Sequence, residues 1–507
     1  MKKLILLLSL SLFTITSCSL DEELNDKITK ENSNDLLGPD EALASAYRQL
    51  RSFQTFDFQF SLQEHPSDEL AGPTRGNDWD DNGKWRSLHL HTWTPENEII
   101  VTSWRELNKG LAFALDAQTY PLNSSQKAQA IFIESFYIFE ITDLFGQVSL
   151  RKPGEDVSIL PSIQLGRKEA IDYAIEKLEA VLEDLPDGTA VTSDIANKNA
   201  GNALLAKMYL NKAVYKATDQ DGKPQIAITF LNDDLTKVIS YADAALSGRS
   251  LTAASNFYDN FSPTNGETSP ELIFTSKNTN SAAGDVYKMY RMTLHYNQNP
   301  SGWNGFVALT DLYNKFTPDD VRFTGRREGL TDISGIKTGI LIGQQYDQNG
   351  TALISDGNNP LIFTPEFSLT NSSKSNGLRV IKYIPDYVNL DQPNNDWVFI
   401  RVADVMMMKA EAMARIGNTT GAMTIINDIR SHRNAPLLNT LTINTILDER
   451  ARELYWEGHR RRDQIRFGTF LNPVQERSTT SDRHVMIFPI PLDDLSVNPN
   501  LHQNPGY

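Results

Sequence analysis

The sequence predicts an all-α fold: a tetratricopeptide-like helical superhelix with a loop-rich insertion that carries short strands. Three observations predict it. Apolar residues recur at three- and four-residue spacing over most of the chain, the period of a helix that buries one face. The stripes are joined by short turns, so successive helices are antiparallel neighbours hiding their apolar faces against one another, although no strict 34-residue consensus is met. Between residues 247 and 395 the stripes thin out while Gly, Asn, Ser and Thr become frequent, as expected of loops laid on a scaffold.

Taken in order, residues 1–17 read as a signal peptide. Lys2 and Lys3 are followed by an apolar run at 4–13 and by the small residues Thr16 and Ser17. That run is about half of the roughly 20 apolar residues a membrane helix needs, so cleavage is expected. A cut before Cys18 frees a thiol and an amine, which together accept the several acyl chains that stable anchoring requires. Cys18 is the only cysteine, so no disulfide competes for it. The pattern resembles a bacterial lipoprotein signal, with Ile15 where Leu is commoner. Asp21, Glu22 and Glu23 resemble a surface-export signal of outer-membrane lipoproteins, and 18–34 reads as the lipidated terminus and a polar spacer.

Residues 35–246 form the first helical region. Leu43, Ala46, Tyr47 and Leu50 mark a helix over 40–53, with Asp40 as its N-cap after Pro39. Trp104, Leu107, Leu111 and Leu115 mark the next, followed by Ile131, Phe132, Phe136, Phe139 and Leu144. Ala174 and Leu178 begin a stripe stopped by Pro186, and Ala203, Leu204 and Val214 continue the series. A patch at 61–98 reads as loop. After the insertion at 247–395, residues 396–507 return to helix, with stripes from Val402 to Ile416, Ala422 to Ile429 and Ile443 to Tyr455.

The formal charge of -16 becomes -18 once Lys2 and Lys3 leave with the signal. Such a surface repels nucleic-acid phosphates and anionic headgroups, which excludes a nucleic-acid role and leaves neutral or cationic ligands open.

The chemistry-bearing residues concentrate in the first loop patch. Residues 65–93 mix Trp79, Trp85 and Trp93 with Asp68, Glu69, Arg75, Asp78, Asp80 and Asp81. Aromatic faces among short polar groups suit sugars, whose C–H faces stack on indole while their hydroxyls pair with Asp, Asn and Arg. The insertion adds Tyr287, Tyr290, Tyr296 and Trp303. Residues 78–83 open like a calcium loop, but the twelfth position is His89 instead of a bidentate Glu, so an acidic turn with left-handed Gly83 is expected. His65, His89 and His91 lack zinc-like spacing. No metal or cofactor is expected. A secreted helical glycoside hydrolase is the rival, with Asp68 and Glu69 as its candidate carboxylates, yet adjacent residues seldom both face one substrate and no catalytic motif is present. The charged block at 449–463 has acids and bases at helical spacing, which predicts structural ion pairs.

Four segments resemble one family. Residues 401–412 (RVADVMMMKAEA), 425–430 (IINDIR), 448–460 (DERARELYWEGHR) and the closing 498–507 (NPNLHQNPGY) look like the C-terminal signature of SusD/RagB outer-membrane lipoproteins. The segments 136–140, 144–146, 302–306 and 320–322 look like further landmarks, while 461–467 departs from the usual ending. The resemblance implies four tetratricopeptide-like units, lipid on Cys18 and exposure at the cell surface. It also implies capture of oligosaccharides and their delivery to a SusC-like TonB-dependent transporter, without catalysis. It implies an aromatic arc as ligand surface, for which Trp79, Trp85, Tyr296 and Trp303 are the candidates, with Asp68, Arg75 and Arg379 as polar partners. Arg379 is equally well explained as a structural residue, and a peptide-capturing RagB-like member is the other alternative.

Overall fold

The first helix begins where proline is most tolerated. Pro39 opens α1 (Pro39–Gln49), with Asp40 inside the first turn and not at the cap expected for it, because proline's fixed φ and missing N–H suit the first helical position. The computed structural model describes residues 38–189 and 192–507, and Pro39–Tyr507 forms one compact unit. The signal segment, Cys18 and the spacer lie outside the described residues.

Among the described residues, the α-helices of seven residues or more that follow are α2 (Lys84–Leu90), α3 (Glu98–Ala117), α4 (Ser124–Leu144), α5 (Arg167–Glu179), α6 (Lys198–Lys216) and α7 (Asn232–Ala245). After the insertion come α8 (Val402–Arg415), α9 (Thr419–Ser431), α10 (Ile443–Leu454) and α11 (Arg460–Phe467). Asparagine caps start several of them: Asn97 accepts from the amides of Ile99 and Ile100, and Asn123 forms a capping box with Gln126. Each of α3 to α7 packs on the next, and α8 packs on α7 as well as on α9 and α10. The stack is thus interrupted in sequence by the insertion but continuous in space, a tetratricopeptide-like helical fold.

The sequence showed α4 as a one-sided stripe. In the structure every residue from Ala130 to Leu144 is buried, with α4 lying against α1, α3, α5 and α6. Its polar residues are buried because they are paired: Glu140 accepts from Arg462 at 2.7 Å, and Asp143 accepts from Arg461 at 3.1 Å and Tyr215 at 3.0 Å.

The strands are short. β1 (Leu70–Ala71) lies in the first loop patch, and β2 (Gln147–Leu150) and β3 (Ile163–Gly166) form a hairpin. The rest are β4 (Leu272–Ser276), β5 (Val307–Ala308), β6 (Thr324–Gly325), β7 (Thr338–Leu341), β8 (Gly343–Gln344), β9 (Ile362–Phe363), β10 (Arg379–Ile381) and β11 (Trp397–Arg401). β4 pairs antiparallel with β11, and β7 sits between β6 and β10.

The charged block at 449–463 is interior. Glu453 on α10 accepts from Arg322 at 2.8 Å, Arg401 at 2.7 Å and Arg433 at 2.9 Å, with all four side chains buried. Glu271 adds ion pairs to Arg401 at 2.6 Å and Arg433 at 3.1 Å, and Glu457 pairs with Lys382 at 2.5 Å. Burial pushes the Glu453 carboxyl up, but the guanidinium groups of Arg433, Arg401 and Arg322 outweigh it and hold it well below the ordinary carboxylate range. The pairing along the helix that spacing predicts is present, Arg452 to Glu449 at 2.6 Å. Most of the other pairs join segments distant in sequence: Arg322 and Lys382 of the insertion, Asp404 on α8, Arg433 after α9, and Asp68, Glu140 and Asp143 of the first helical region.

Candidate functional site

Strand pairing decides which loops meet. β1 runs antiparallel to β5, with Leu70 opposite Ala308 and Ala71 opposite Val307, so the loop bearing Trp79 and the loop bearing Trp303 rise from one two-stranded ribbon. The Leu309 amide donates to the Glu69 carbonyl at 3.1 Å, which fastens the two loops further, and the Thr74 amide donates to the Leu369 carbonyl at 3.0 Å, which ties the first loop to a third segment.

The first loop turns tightly. Arg75 and Asp78 exchange backbone hydrogen bonds at 2.9 and 3.1 Å, and Gly76, Trp79, Asp81, Asn82 and Gly83 all have left-handed backbone. For tryptophan at φ 62° that conformation costs on the order of 1–2 kcal/mol, so its surroundings must hold it. They do so in three ways. The indole Nε1 donates to the Trp303 carbonyl at 2.8 Å, the ring covers Gly305, and its centroid lies 5.1 Å from Phe306. The stretch that opens like a calcium loop commits two of its three acids internally, Asp80 pairing with Arg86 at 3.0 Å and Asp81 accepting the Trp85 indole N–H at 2.6 Å, and leaves Asp78 exposed.

Phe56 completes a surface that neither loop makes alone. Its ring lies 6.0 Å from Trp79 and 5.8 Å from Trp303, and Trp303 lies 6.3 Å from Tyr287. Trp79, Phe56, Trp303 and Tyr287 therefore form an arc of partly exposed rings, with Trp303 the most open at 37%. Under the arc lie Trp85, Phe306 and His65, all buried. His65 stacks on Trp85 at 5.3 Å and meets Phe306 edge-on at 4.5 Å. Burial pushes its imidazole well below the ordinary value, so it serves as a neutral foundation.

The candidates read from sequence separate into two groups. Trp79 and Trp303 come together on the arc. Trp85 sits on α2, in a patch expected to be all loop, and is 1% exposed, so it supports the arc from beneath instead of facing solvent. Tyr296 is half-buried beside His295 and under the Lys374 ammonium at 5.2 Å, and among the described residues no ring contact joins it to the arc.

The polar candidates are engaged in the interior. Asp68 is gripped in two-pronged fashion by Arg460 at 2.6 and 2.9 Å. Burial raises its carboxyl, but Arg460 outweighs burial and holds it below the ordinary range. Glu69 accepts from the Trp456 amide at 3.3 Å. These two neighbours thus serve the fold, not one scissile bond. Arg75 donates to the carbonyls of Ser373 and Asn376, and burial pushes it down to about 10. Arg379 is fully buried and donates to Asn304 at 2.7 Å and to the carbonyls of Asn376 and Lys374 at 3.0 and 3.1 Å. Both arginines act by fixing the 373–377 loop against the ribbon. Phe56 was missed because it stands among Phe53, Phe58 and Phe60, which are all buried, and nothing in the run marks the one that turns outward.

A tetratricopeptide-like stack with an aromatic arc on its loops is a helical scaffold that presents a partly exposed aromatic surface. Residues 270–479 match the model of the SusD family. The chain is 25% identical to the starch-binding protein SusD of Bacteroides thetaiotaomicron, over 94% of this chain and 88% of that protein. It is 24% identical to SusD-like protein P38 of Formosa agariphila, over 99% of this chain and 98% of that one. A solved laminarin binding SusD-like protein superposes with a TM-score of 0.70 at 18% identity, covering 92% of this chain and 99% of the other. The chain is thus similar to SusD-type proteins over nearly its whole length, and its match to the family model lies in 270–479. Two of these relatives carry names that describe binding. No helix among the described residues is long and apolar enough to cross a membrane.

Proposed function

We propose that this protein is a lipid-anchored protein on the outer face of the outer membrane. It captures oligosaccharides on the arc of Trp79, Phe56, Trp303 and Tyr287, and passes them to a SusC-like TonB-dependent transporter without chemical change. The observation that carries the reading is the arc itself. Four rings are left partly open to solvent on a foundation of buried aromatics, where an ordinary loop would have buried them. Sugar rings present C–H faces that stack on such a surface while rim carboxylates and amides take their hydroxyls. The names of the starch-binding and laminarin-binding relatives support the ligand class. Anchoring through Cys18 supplies proximity to the transporter without requiring a tight interface.

The test is electrophoresis through gels containing polysaccharide. Retardation by a neutral glucan, its loss in Trp303→Ala with an unchanged helical spectrum, and no release of reducing ends are the expected results. Reducing ends that accumulate with time would show an enzyme instead. For delivery, a Cys18→Ala protein is expected to bind glycan normally and to fail in supporting uptake by cells. Normal uptake by the unlipidated protein would break the link between anchor and function.

A further inference from the structure

The charges around the arc are not balanced, and the imbalance selects among glycans. Each cation beside the rings is already spent. Lys288, 5.7 Å from the Phe56 ring, pairs with Asp285 at 2.6 Å. Arg291, beside Tyr287, pairs with Asp391 at 2.7 Å and donates to the Ser301 carbonyl at 2.9 Å. Lys84, 5.1 Å from the Trp85 ring, pairs with Glu98 at 3.1 Å, and Arg86 pairs with Asp80. Beneath the surface, Arg75 and Arg379 are committed to carbonyl oxygens of the loops.

The acids are in surplus. Asp57 follows Phe56 directly, Asp78 precedes Trp79, and Asp81 holds the Trp85 indole. Among the described residues none of the three joins an ion pair, and Asp78 and Asp81 are exposed. Asp57 makes no direct hydrogen bond or ion pair to Lys288, whose ammonium is paired with Asp285; it acts on it through space and through Thr55, whose hydroxyl accepts from the ammonium at 3.3 Å and donates to the Asp57 carboxylate. A carboxylate or sulfate laid on this arc would meet unpaired negative charge and no free guanidinium or ammonium, so like-charge repulsion opposes it. A neutral sugar meets the same carboxylates as hydrogen-bond acceptors for its hydroxyls.

We infer that the arc takes uncharged glycans and rejects those carrying uronate or sulfate groups, with Asp57 and Asp78 as the residues that set this selectivity. The inference rests on the glycan-binding reading above and narrows it. It is tested with an immobilised panel in which laminarin, starch and galactomannan are matched by carboxymethylated or sulfated forms of the same backbones, at low and at 0.3 M salt. The expected result is binding to at least one neutral glycan, at least about tenfold weaker binding of its charged counterpart, and a gap that narrows in salt because exposed charges are screened. Asp57→Asn with Asp78→Asn, which keeps a side-chain oxygen to accept from sugar hydroxyls, is expected to narrow the gap at low salt by raising the affinity for the charged form. A charged glycan bound as tightly as its neutral parent overturns the selectivity and leaves the glycan-binding reading standing. A gap that neither salt nor the double substitution moves overturns the assignment to these carboxylates. Failure of every glycan, charged or neutral, to bind the wild type overturns the parent reading and the inference with it.

Discussion

Gly305→Ala separates the arc from the scaffold that carries it. A Cβ at this position would lie 2.3 Å from Cε2 and Cζ2 of Trp79 and 2.6 Å from Cδ2. Carbon atoms rest about 3.5–4.0 Å apart, so the indole has to rise by roughly 1 Å or more. It cannot do so freely, because Nε1 is tied to the Trp303 carbonyl at 2.8 Å. Losing that hydrogen bond costs about 1 kcal/mol and the overpacking about 1–3 kcal/mol. The strain falls on a loop residue already held at positive φ, so the ring yields before the helices do. Calorimetric titration with a bound glucan is expected to show affinity reduced by roughly 30-fold, equivalent to about 2 kcal/mol, with the unfolding midpoint lowered by only a few degrees. Gly38→Ala is the control, since a Cβ there meets nothing within 4 Å. If Gly305→Ala binds within about threefold of the wild type, by the same arithmetic, Trp79 is not part of the binding surface and the packing argument fails with it.

Further expectations concern the interior charges and the foundation of the arc. Glu453→Gln leaves Arg322, Arg401 and Arg433 short of a shared counter-charge and is expected to cost about 3–5 kcal/mol in chemical denaturation; a loss under about 1 kcal/mol would show that the network contributes little. Glu411 and Glu449 are each held at about 2, because Arg466 and Arg415, and Arg322 and Arg452, outweigh the upward push of burial. Their folded-state values lie below the unfolded ones, so their stabilisation, on the order of 3 kcal/mol each, is complete above roughly pH 4.5 and is lost as pH falls toward 2. Acid unfolding followed by circular dichroism is expected to steepen in that window and to be shallower in Glu411→Gln; equal slopes would refute the assignment. Trp85→Phe loses the hydrogen bond to Asp81 and is expected to weaken glycan binding less than Trp303→Ala, the reverse order indicating that the buried ring is the contact.

The helical stack was legible because one-sided burial writes a period into the sequence, and most stripes fall within helices at nearly the expected places. Besides α2, which lies in the patch read as loop, α7 and α11 escaped for opposite reasons. The buried face of α7 is Leu235, Val238, Ala242 and Ala245, too small a stripe to stand out. α11 reads RRRDQIRF and looks solvated, yet Arg460, Arg461, Arg462 and Arg466 are buried against partners from distant segments, which no local pattern reveals. The site was legible in composition and not in direction. Trp79, Trp85 and Trp93 are equivalent on the page, but Trp93 is buried with its Nε1 donating to the Tyr507 hydroxyl at 2.8 Å, Trp85 is buried over His65, and only Trp79 lies on the arc. The pairing of β1 with β5 and the seat at Gly305 make that choice, and both are tertiary facts. For the same reason Asp68 and Arg75 read as ligand partners: charge in a loop looks available until its partner, hundreds of residues away, is in place, while Arg379 is taken up by the nearby carbonyls of 374–377 and by Asn304.

The shared carboxylate of Glu453 also bears on when the chain can close. A nascent polypeptide that ends before residue 449 already contains Arg322, Lys382, Arg401 and Arg433, with Glu271 and Asp320 as the acids of that circuit made so far. Folding at that point would seal uncompensated positive charge inside the protein, at several kcal/mol for each. The interior is therefore withheld until the last eighth or so of the sequence has been synthesised, and a chain stopped short of residue 449 is expected to stay open to proteases along its whole insertion. The segment 449–457 brings Glu449, Glu453 and Glu457 to those cations together, so the charge balance of the interior is completed by one short stretch near the carboxyl end.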